Sequence, residues 1–405
     1  MSSIAAVAAP AKPWRELWLI TIGHGLTHWY PATFYLLLPL ISNELGLSYS
    51  QIGLIMTCKY IASAVANVPG GVLVDTVGRK GLLMAVSLFW IGFPYLLIGF
   101  THSYLMLLAC IALVGFGNSL WHPTAIPTLG RRYPERKGLV LSVHGMGGNV
   151  GDAVAPIVIG AALTYFTWRE VVVLNVIPGL LVAALLFVFL GSMRLASRQH
   201  EGQSFSEYLA GLRDLFASRG LVLLSTGSAF RTMTQSALLT FLPLYLANQM
   251  GYSPFWVGMC LFALQAAGFA ASPVAGHLSD RVGRKQILVA SMAASAVVLA
   301  AMAFAGGSPL FIALVAVLGF FLYATRPVIQ AWMLDATPKN MAGSSIGVLF
   351  GAQAAGGAIG PLLGGMVADQ YGLAATFYFL AATIVAANLF VFGVPLRPAQ
   401  RPQVE

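Results

Sequence analysis

A small set of polar side chains interrupts the long apolar runs of this chain. His24 and His28 stand four apart, a spacing that puts both on one face of a helix. Lys59 sits alone in an apolar run, and His122 immediately precedes Pro123. His144, Asn149 and Asp152 follow in one segment. Arg231 and Gln235 repeat the four-residue spacing, as do Arg326 and Gln330, with Gln265 between them. Lys59, Arg231 and Arg326 are positive and Asp152 is the one carboxylate among them, a balance that suits an anion. The planar arginine fork matches carboxylate, phosphonate or phosphate. Asp152 and His144 can carry a proton, with neighbouring positive charge setting the carboxyl's affinity for it. His24, His28 and His122 are expected to line a polar cavity with Gln235 and Gln330, although the glutamines equally suit interhelical hydrogen bonds. No metal is expected: no third ligand type gathers beside His24 and His28, and two histidines rarely complete a site. Lys59 and Asp152 leave open either ligand contacts or a structural ion pair.

These groups need elements that can hold them in apolar surroundings. The chain has 405 residues, 58% hydrophobic and only 9% charged, with a mean hydropathy of +0.80. Soluble domains run nearer a quarter charged. Charge this scarce cannot cover a water-facing surface, whereas lipid solvates an apolar one. Cys58, Cys110 and Cys260 all lie in apolar runs and offer neither a disulfide framework nor a metal spacing. The alanine-rich stretch before Trp14 lacks the apolar run and cleavage site of a signal peptide. The polar, proline-bearing tail from Arg397 is expected to be disordered.

A spanning helix needs roughly 20 apolar residues. Twelve such helices are expected, near 15–41, 51–74, 82–100, 104–127, 138–164, 170–192, 219–247, 254–278, 286–305, 309–334, 342–368 and 373–394. They divide into a bundle over 1–193, a charged linker over 194–218 and a second bundle over 219–405. Odd-to-even connections hold one basic residue, Arg169. The even-to-odd connections and the termini hold the other basic residues outside the apolar runs, including Arg79, Lys80, Arg131, Arg132, Arg284 and Lys285. Positive residues stay in the cytoplasm, which places both termini there. The net charge of +9 is therefore a topological signal along one membrane face, and no nucleic-acid partner is expected.

The halves repeat each other. Gly71-Val-Leu-Val-Asp75-Thr-Val-Gly78-Arg79-Lys80 is echoed by Gly276-His-Leu-Ser-Asp280-Arg-Val-Gly283-Arg284-Lys285. Pro156 and Pro361 are equivalent in the same register, and Pro39 with Pro243 and Pro123 with Pro327 one residue off it. Both motif copies run from the second helix of a half into the third, so the repeat is parallel, with its axis along the membrane normal. The Gly-x-x-x-Asp-x-x-Gly-Arg-Lys loop, found twice, resembles the major facilitator superfamily over nearly the whole chain. Trp121-His122-Pro123 and Gly147-Gly148-Asn149-Val150-Gly151 look most like its fosmidomycin-resistance type of efflux protein. The resemblance implies two six-helix bundles in which helices 1, 4, 7 and 10 line a central cavity and 3, 6, 9 and 12 face lipid.

In the motif loops, Gly71 and Gly276 suit close helix approach. Asp75 and Asp280, with Arg79 and Arg284, suit a conformational latch: each carboxylate can meet a helix N-terminus of the opposite half or the arginines of its own loop. The glycine pattern Gly347, Gly356, Gly360, Pro361, Gly364, Gly365 resembles the superfamily's antiporter motif, displaced from helix 5 to helix 11, which weakens its bearing on antiport. The expected function is secondary active transport of a small organic anion, proton-coupled and outward, by a bacterial inner-membrane monomer. No Walker motif is present, and no cofactor is expected. Import of an organic anion and efflux of lipophilic drugs are the alternatives. A non-transporting receptor or a membrane metalloenzyme on His24 and His28 ranks below them.

Overall fold

The computed structural model describes residues 14–193, 213, 215–306, 308, 310–337 and 341–395. The linker over 194–212, the N-terminal stretch and the tail lie outside the described residues, as does the Asp75 side chain.

Twelve long helices account for almost all of the rest: α1 (Trp14–Leu45), α2 (Tyr49–Thr76), α3 (Lys80–Gly99), α4 (Tyr104–Arg132), α5 (Lys137–Ala162), α6 (Trp168–Leu190), α7 (Arg219–Asn248), α8 (Pro254–Val282), α9 (Arg284–Ala305), α10 (Leu310–Asp335), α11 (Ala342–Tyr371) and α12 (Ala375–Phe392). Each overlaps an expected span, but α1, α4, α8 and α11 run three or more residues past their expected ends. Apolar run length marks only the hydrocarbon-crossing part of a helix, whereas backbone hydrogen bonding continues into the polar interface. Starts are set by local chemistry: Ser48 and Gln51 form a capping box on α2, and Thr167 and Glu170 form one on α6. Among the described residues, eight helices are apolar enough along their length to cross a membrane on composition alone. The polar residues His24, His28, Lys59, His144, Asp152 and Arg231 sit on α1, α2, α5 and α7. Their polarity faces protein, so it does not meet lipid.

The packing repeats between halves. α1 packs on α5 and α6, α2 on α4, and α3 on α4 and α6; α7 packs on α11 and α12, α8 on α10, and α9 on α10 and α12. Between halves, α2 meets α11 and α5 meets α8, again as a symmetric pair. These seams are tight at one end only. A Cβ on Gly53 would lie 2.2 Å from the Pro361 carbonyl oxygen, and one on Gly258 would lie 2.2 Å from that of Pro156. Thr57 Oγ1 donates to the Ala358 carbonyl at 2.5 Å, and Asn43 donates to Asn248 across the halves at 3.3 Å. At the end bearing the motif loops, a Cβ on Gly138, Gly145, Gly276, Gly347 or Gly351 would meet nothing within 4 Å. The protein is thus closed on one face and open on the motif-loop face. The close approach expected at Gly276 is not made in this conformation, because the two halves are splayed there.

Arg169, the lone basic residue on the closed face, is tied down locally. It donates to Glu44 at 2.5 Å and to the carbonyls of Gly99 and Thr101 at 3.1 and 2.7 Å, pinning three connections together.

Candidate substrate cavity

Between the halves lies a cavity of about 230 Å³. Every inward-facing helix type contributes: Thr27, His28 and Tyr35 from α1, Lys59 and Tyr60 from α2, Asn118 from α4, Asp152 from α5, Gln235 from α7, Gln265 from α8 and Arg326 from α10. It shares Tyr60, Ser63 and Asn118 with a wider vestibule of about 1100 Å³, lined further by His122, Ile126 and Phe350. The vestibule lies toward the open face, between α2 and α4 of one half and α11 of the other.

The three cations occupy three different environments. Arg326 is exposed into the cavity and has no hydrogen-bond or ion-pair partner among the described residues. Lys59 also lines it, and its ammonium lies over the rings of Tyr35 at 5.3 Å and Tyr60 at 5.2 Å. Aromatic faces attract a cation without neutralising it. Arg231 is only 3% exposed. Its three nitrogens donate to Thr325 at 3.0 Å, Gln235 at 2.5 Å and the Leu322 carbonyl at 3.0 Å. Arg231 is therefore not among the residues that line the cavity: it clamps α7 to α10 and fixes Gln235, with each of its three nitrogens already donating to the protein. Sequence spacing gives a residue's helix face but not how many backbone and hydroxyl acceptors a neighbouring helix presents.

The histidines converge. His24 stacks on His144 with ring centroids 4.0 Å apart, and stands 4.8 Å from His28 and 5.0 Å from His122. His24 Nδ1 lies 2.7 Å from the His144 carbonyl oxygen. His28 Nδ1 lies 2.9 Å from Asp152 Oδ2. Asp152 thus pairs with His28, and no ion pair joins it to Lys59 among the described residues. The structural Lys59–Asp152 pair is not formed, because α1 inserts a ring beside the carboxylate. The premise that no third ligand joins His24 and His28 is also corrected: α4 brings His122 to them, from almost a hundred residues away. His144 is 3% exposed and packs inside the cluster on α5. Gln330 lines neither cavity nor vestibule. A further glutamine, Gln353 on α11, makes an interhelical hydrogen bond, donating to Ser228 of α7 at 2.7 Å.

On the open face Asp280 makes the second of its two expected contacts, to the arginine of its own loop. Asp280 pairs with Arg284 of its own loop at 2.5 Å, and Arg284 also holds Asp335 at 3.1 Å, all within one half. Arg79 is exposed. The expected union of a carboxylate with a helix N-terminus of the other half is made on the closed face instead. Asp369, in the last turn of α11, accepts from the amides of Tyr49 and Ser50 at 2.8 and 2.9 Å and from the Ser50 hydroxyl at 2.5 Å.

The Major Facilitator Superfamily model matches residues 17–271 and 224–405, both halves of the repeat. The chain belongs to the major facilitator superfamily. Like the family, it is a multi-pass membrane transporter and not an enzyme. It is 27% identical to a hexuronate transporter of Bacillus subtilis, over 88% of this chain and 86% of that one. It is equally 27% identical to the multidrug resistance protein MdtG of Yersinia enterocolitica, over 96% and 95% of the two chains. Among solved structures, the nucleoside transporter NupG superposes with a TM-score of 0.76 at 15% identity, covering 93% of this chain and 99% of that one. An inward-facing, occupied bacterial homologue of the lysosomal transporter Spinster superposes at 0.77 and 17% identity, covering 94% and 97%. At these identities the structures establish the fold alone.

Within this superfamily frame, Tyr35, Tyr60, Asn118 and Asp369 are the functional candidates that the sequence reading passed over. The tyrosines and Asn118 sit in helices already assigned to the cavity, but a search for charge does not select them. Tyr60 directly follows Lys59, and that adjacency was the available signal.

Proposed function

We propose that this transporter carries a small organic anion by proton-coupled alternating access, outward across a bacterial inner membrane. The observation that carries the reading is the Arg326 guanidinium, open to the cavity without a protein partner among the described residues, in the same cavity as a Lys59 ammonium that lies over two tyrosine rings. Fixed positive charge in a membrane interior is costly, and a bound carboxylate, phosphonate or phosphate relieves it. The hexuronate named for the Bacillus subtilis relative is itself a carboxylate. The fosmidomycin-resistance likeness supports phosphonates within the same class. With no Walker motif, the energy comes from a gradient. A second reading, efflux of lipophilic compounds, is supported by the MdtG relative and by the apolar Ile126 and Phe350 of the vestibule.

The test is a thermal-shift screen of purified protein against carboxylates, phosphonates and lipophilic cations, followed by flux in proteoliposomes under an imposed pH gradient. A ligand stabilises in proportion to its occupancy of the folded state. Anions are expected to raise the melting temperature and to move against an inward proton gradient. Stabilisation by lipophilic cations alone would transfer the protein to the second reading, and anion flux along the proton gradient would make it an importer.

Orientation is part of the same proposal: the motif-loop face is cytoplasmic, and the conformation described is open to the cytoplasm. In a background lacking Cys58, Cys110 and Cys260, a cysteine at Ser103 is expected to react with an impermeant reagent added to intact cells. A cysteine at Glu135, exposed on the opposite face, is expected to stay unlabelled. The reverse pattern would overturn the topology.

A further inference from the structure

We propose that His24, His28 and His122 form a binding site for one divalent transition-metal ion, open to the transport cavity. Four of the chain's seven histidines lie on α1, α4 and α5 and meet in one cluster. One ligand nitrogen from each of His24, His28 and His122 lies within 4.8 Å of the other two. Ligation at 2.0–2.1 Å in a tetrahedron sets ligand nitrogens about 3.4 Å apart, so closure needs side-chain shifts of about an ångström.

The hydrogen bonding selects ligation over mutual pairing. The His144 carbonyl can only accept, so His24 Nδ1 carries the proton and Nε2 presents a lone pair. That Nε2 is buried with no partner, on a side chain 7% exposed. Asp152 is an acceptor in the same way when ionised, so His28 Nδ1 donates to it and Nε2 is left as a second lone pair. Two lone pairs cannot satisfy each other. His122 Nδ1 is a third buried nitrogen without a partner. An imidazole that donates one N–H to a carbonyl or carboxylate and turns the other nitrogen inward has the arrangement of a metal-bound histidine, with the acceptor fixing tautomer and orientation.

The shape agrees. Gly148 on α5 lies against the pair: a Cβ there would come within 2.8 Å of the His24 ring and 3.0 Å of the His28 ring. His28 lines the cavity and His122 the vestibule, which gives an ion a path in and leaves a coordination position facing the space between the halves. Three imidazoles and no thiolate select zinc, cobalt or nickel over magnesium or calcium, which take oxygen ligands.

The experiment uses full-length protein in detergent, with its affinity tag removed and metal stripped by chelator. Co²⁺ is titrated in and followed by its visible absorption, and Zn²⁺ is then added in competition. The expected result is one ion per chain, displaced by Zn²⁺. His24→Ala and His122→Gln are each expected to weaken binding at least tenfold. Asp152→Asn, which keeps every ligand and loses only the orienting charge, is expected to weaken it about 10- to 100-fold. Gly148→Ala is expected to weaken it by crowding two rings, and His277→Ala, on the exposed face of α8, to leave it unchanged. Absence of stoichiometric Co²⁺ binding by folded wild-type protein would overturn the site, as would undiminished binding by both His24→Ala and His122→Gln. Zn²⁺ accumulation in proteoliposomes identifies the ion as cargo, and binding without accumulation identifies it as resident; either upholds the site. Because the readout is metal binding, its failure leaves the anion reading standing, and the failure of that reading leaves the site standing.

Discussion

Arg326→Gln is expected to lower anion affinity about a hundredfold while leaving the protein folded and inserted. Its guanidinium is exposed in the cavity and holds no other helix among the described residues, so its removal breaks no internal contact there. What is lost is a charge-assisted, two-point contact in water-poor surroundings, and truncating one partner of such a pair costs about 2–5 kcal/mol. Arg326→Lys is expected to recover only part of the affinity, since an ammonium lacks the planar fork. Arg231→Gln is expected to fail in another way. It removes the hydrogen bonds that a charged donor makes to Thr325, Gln235 and the Leu322 carbonyl, and hydrogen bonds to a charged group are worth about 1.5–3 kcal/mol each. Its signature is therefore a lowered melting temperature in the absence of any ligand. Equilibrium binding and unliganded thermal unfolding, measured on both variants, separate the two roles. Wild-type anion affinity in Arg326→Gln would remove the basis of the anion reading.

The contrast between these two arginines shows where sequence reading reaches its limit. The repeat, the twelve helices and the assignment of polar residues to cavity helices all follow from apolar run length and from landmarks in register. Those signals are one-dimensional, and the fold obeys them. Arg231 and Arg326 have the same surroundings in one dimension: an arginine in an apolar helix, a glutamine four residues on. Their difference lies in what each one faces: α10 offers a hydroxyl and a carbonyl to Arg231, whereas Arg326, itself on α10, faces the open cavity between the halves. The histidine cluster was hidden for a related reason. His24 and His28 are visibly paired, but His122 and His144 join them only through the packing of α1 against α4 and α5. A metal spacing within one segment can be read from sequence, whereas one assembled from three helices cannot. Asp369 was invisible for a third reason. It stands alone, with Thr164 at the equivalent position of the first half, so the repeat that drew attention to Asp75 and Asp280 gave it no counterpart.

Asp369 and Gly53 lead to the second large effect. Alternating access requires the closed face to open, and what holds it closed is a backbone-to-backbone seam together with one carboxylate at a helix N-terminus. The positive end of α2 favours that carboxylate, and three donors fix it. Gly53→Leu is expected to prevent closure, because even its first side-chain carbon would fall 2.2 Å from the Pro361 carbonyl oxygen, and that oxygen belongs to a helix backbone that cannot move aside alone. The variant is expected to settle with this face open and to lose transport almost completely. It should still fold, because the opposite state separates the two helices. Asp369→Asn keeps size and shape and removes only charge. Hydrogen bonds to a charged group are worth about 1.5–3 kcal/mol, and exposure here points to the lower end, so the equilibrium is expected to shift about tenfold toward the open face. Spin labels at the exposed Tyr165 and Tyr371 on the closed face, and at Glu135 and Arg281 on the motif-loop face, report both ends of the motion. The first distance is expected to lengthen and the second to shorten, strongly in Gly53→Leu and partially in Asp369→Asn. Unchanged distances in both variants would mean that the seam follows the motion of the halves and does not control it.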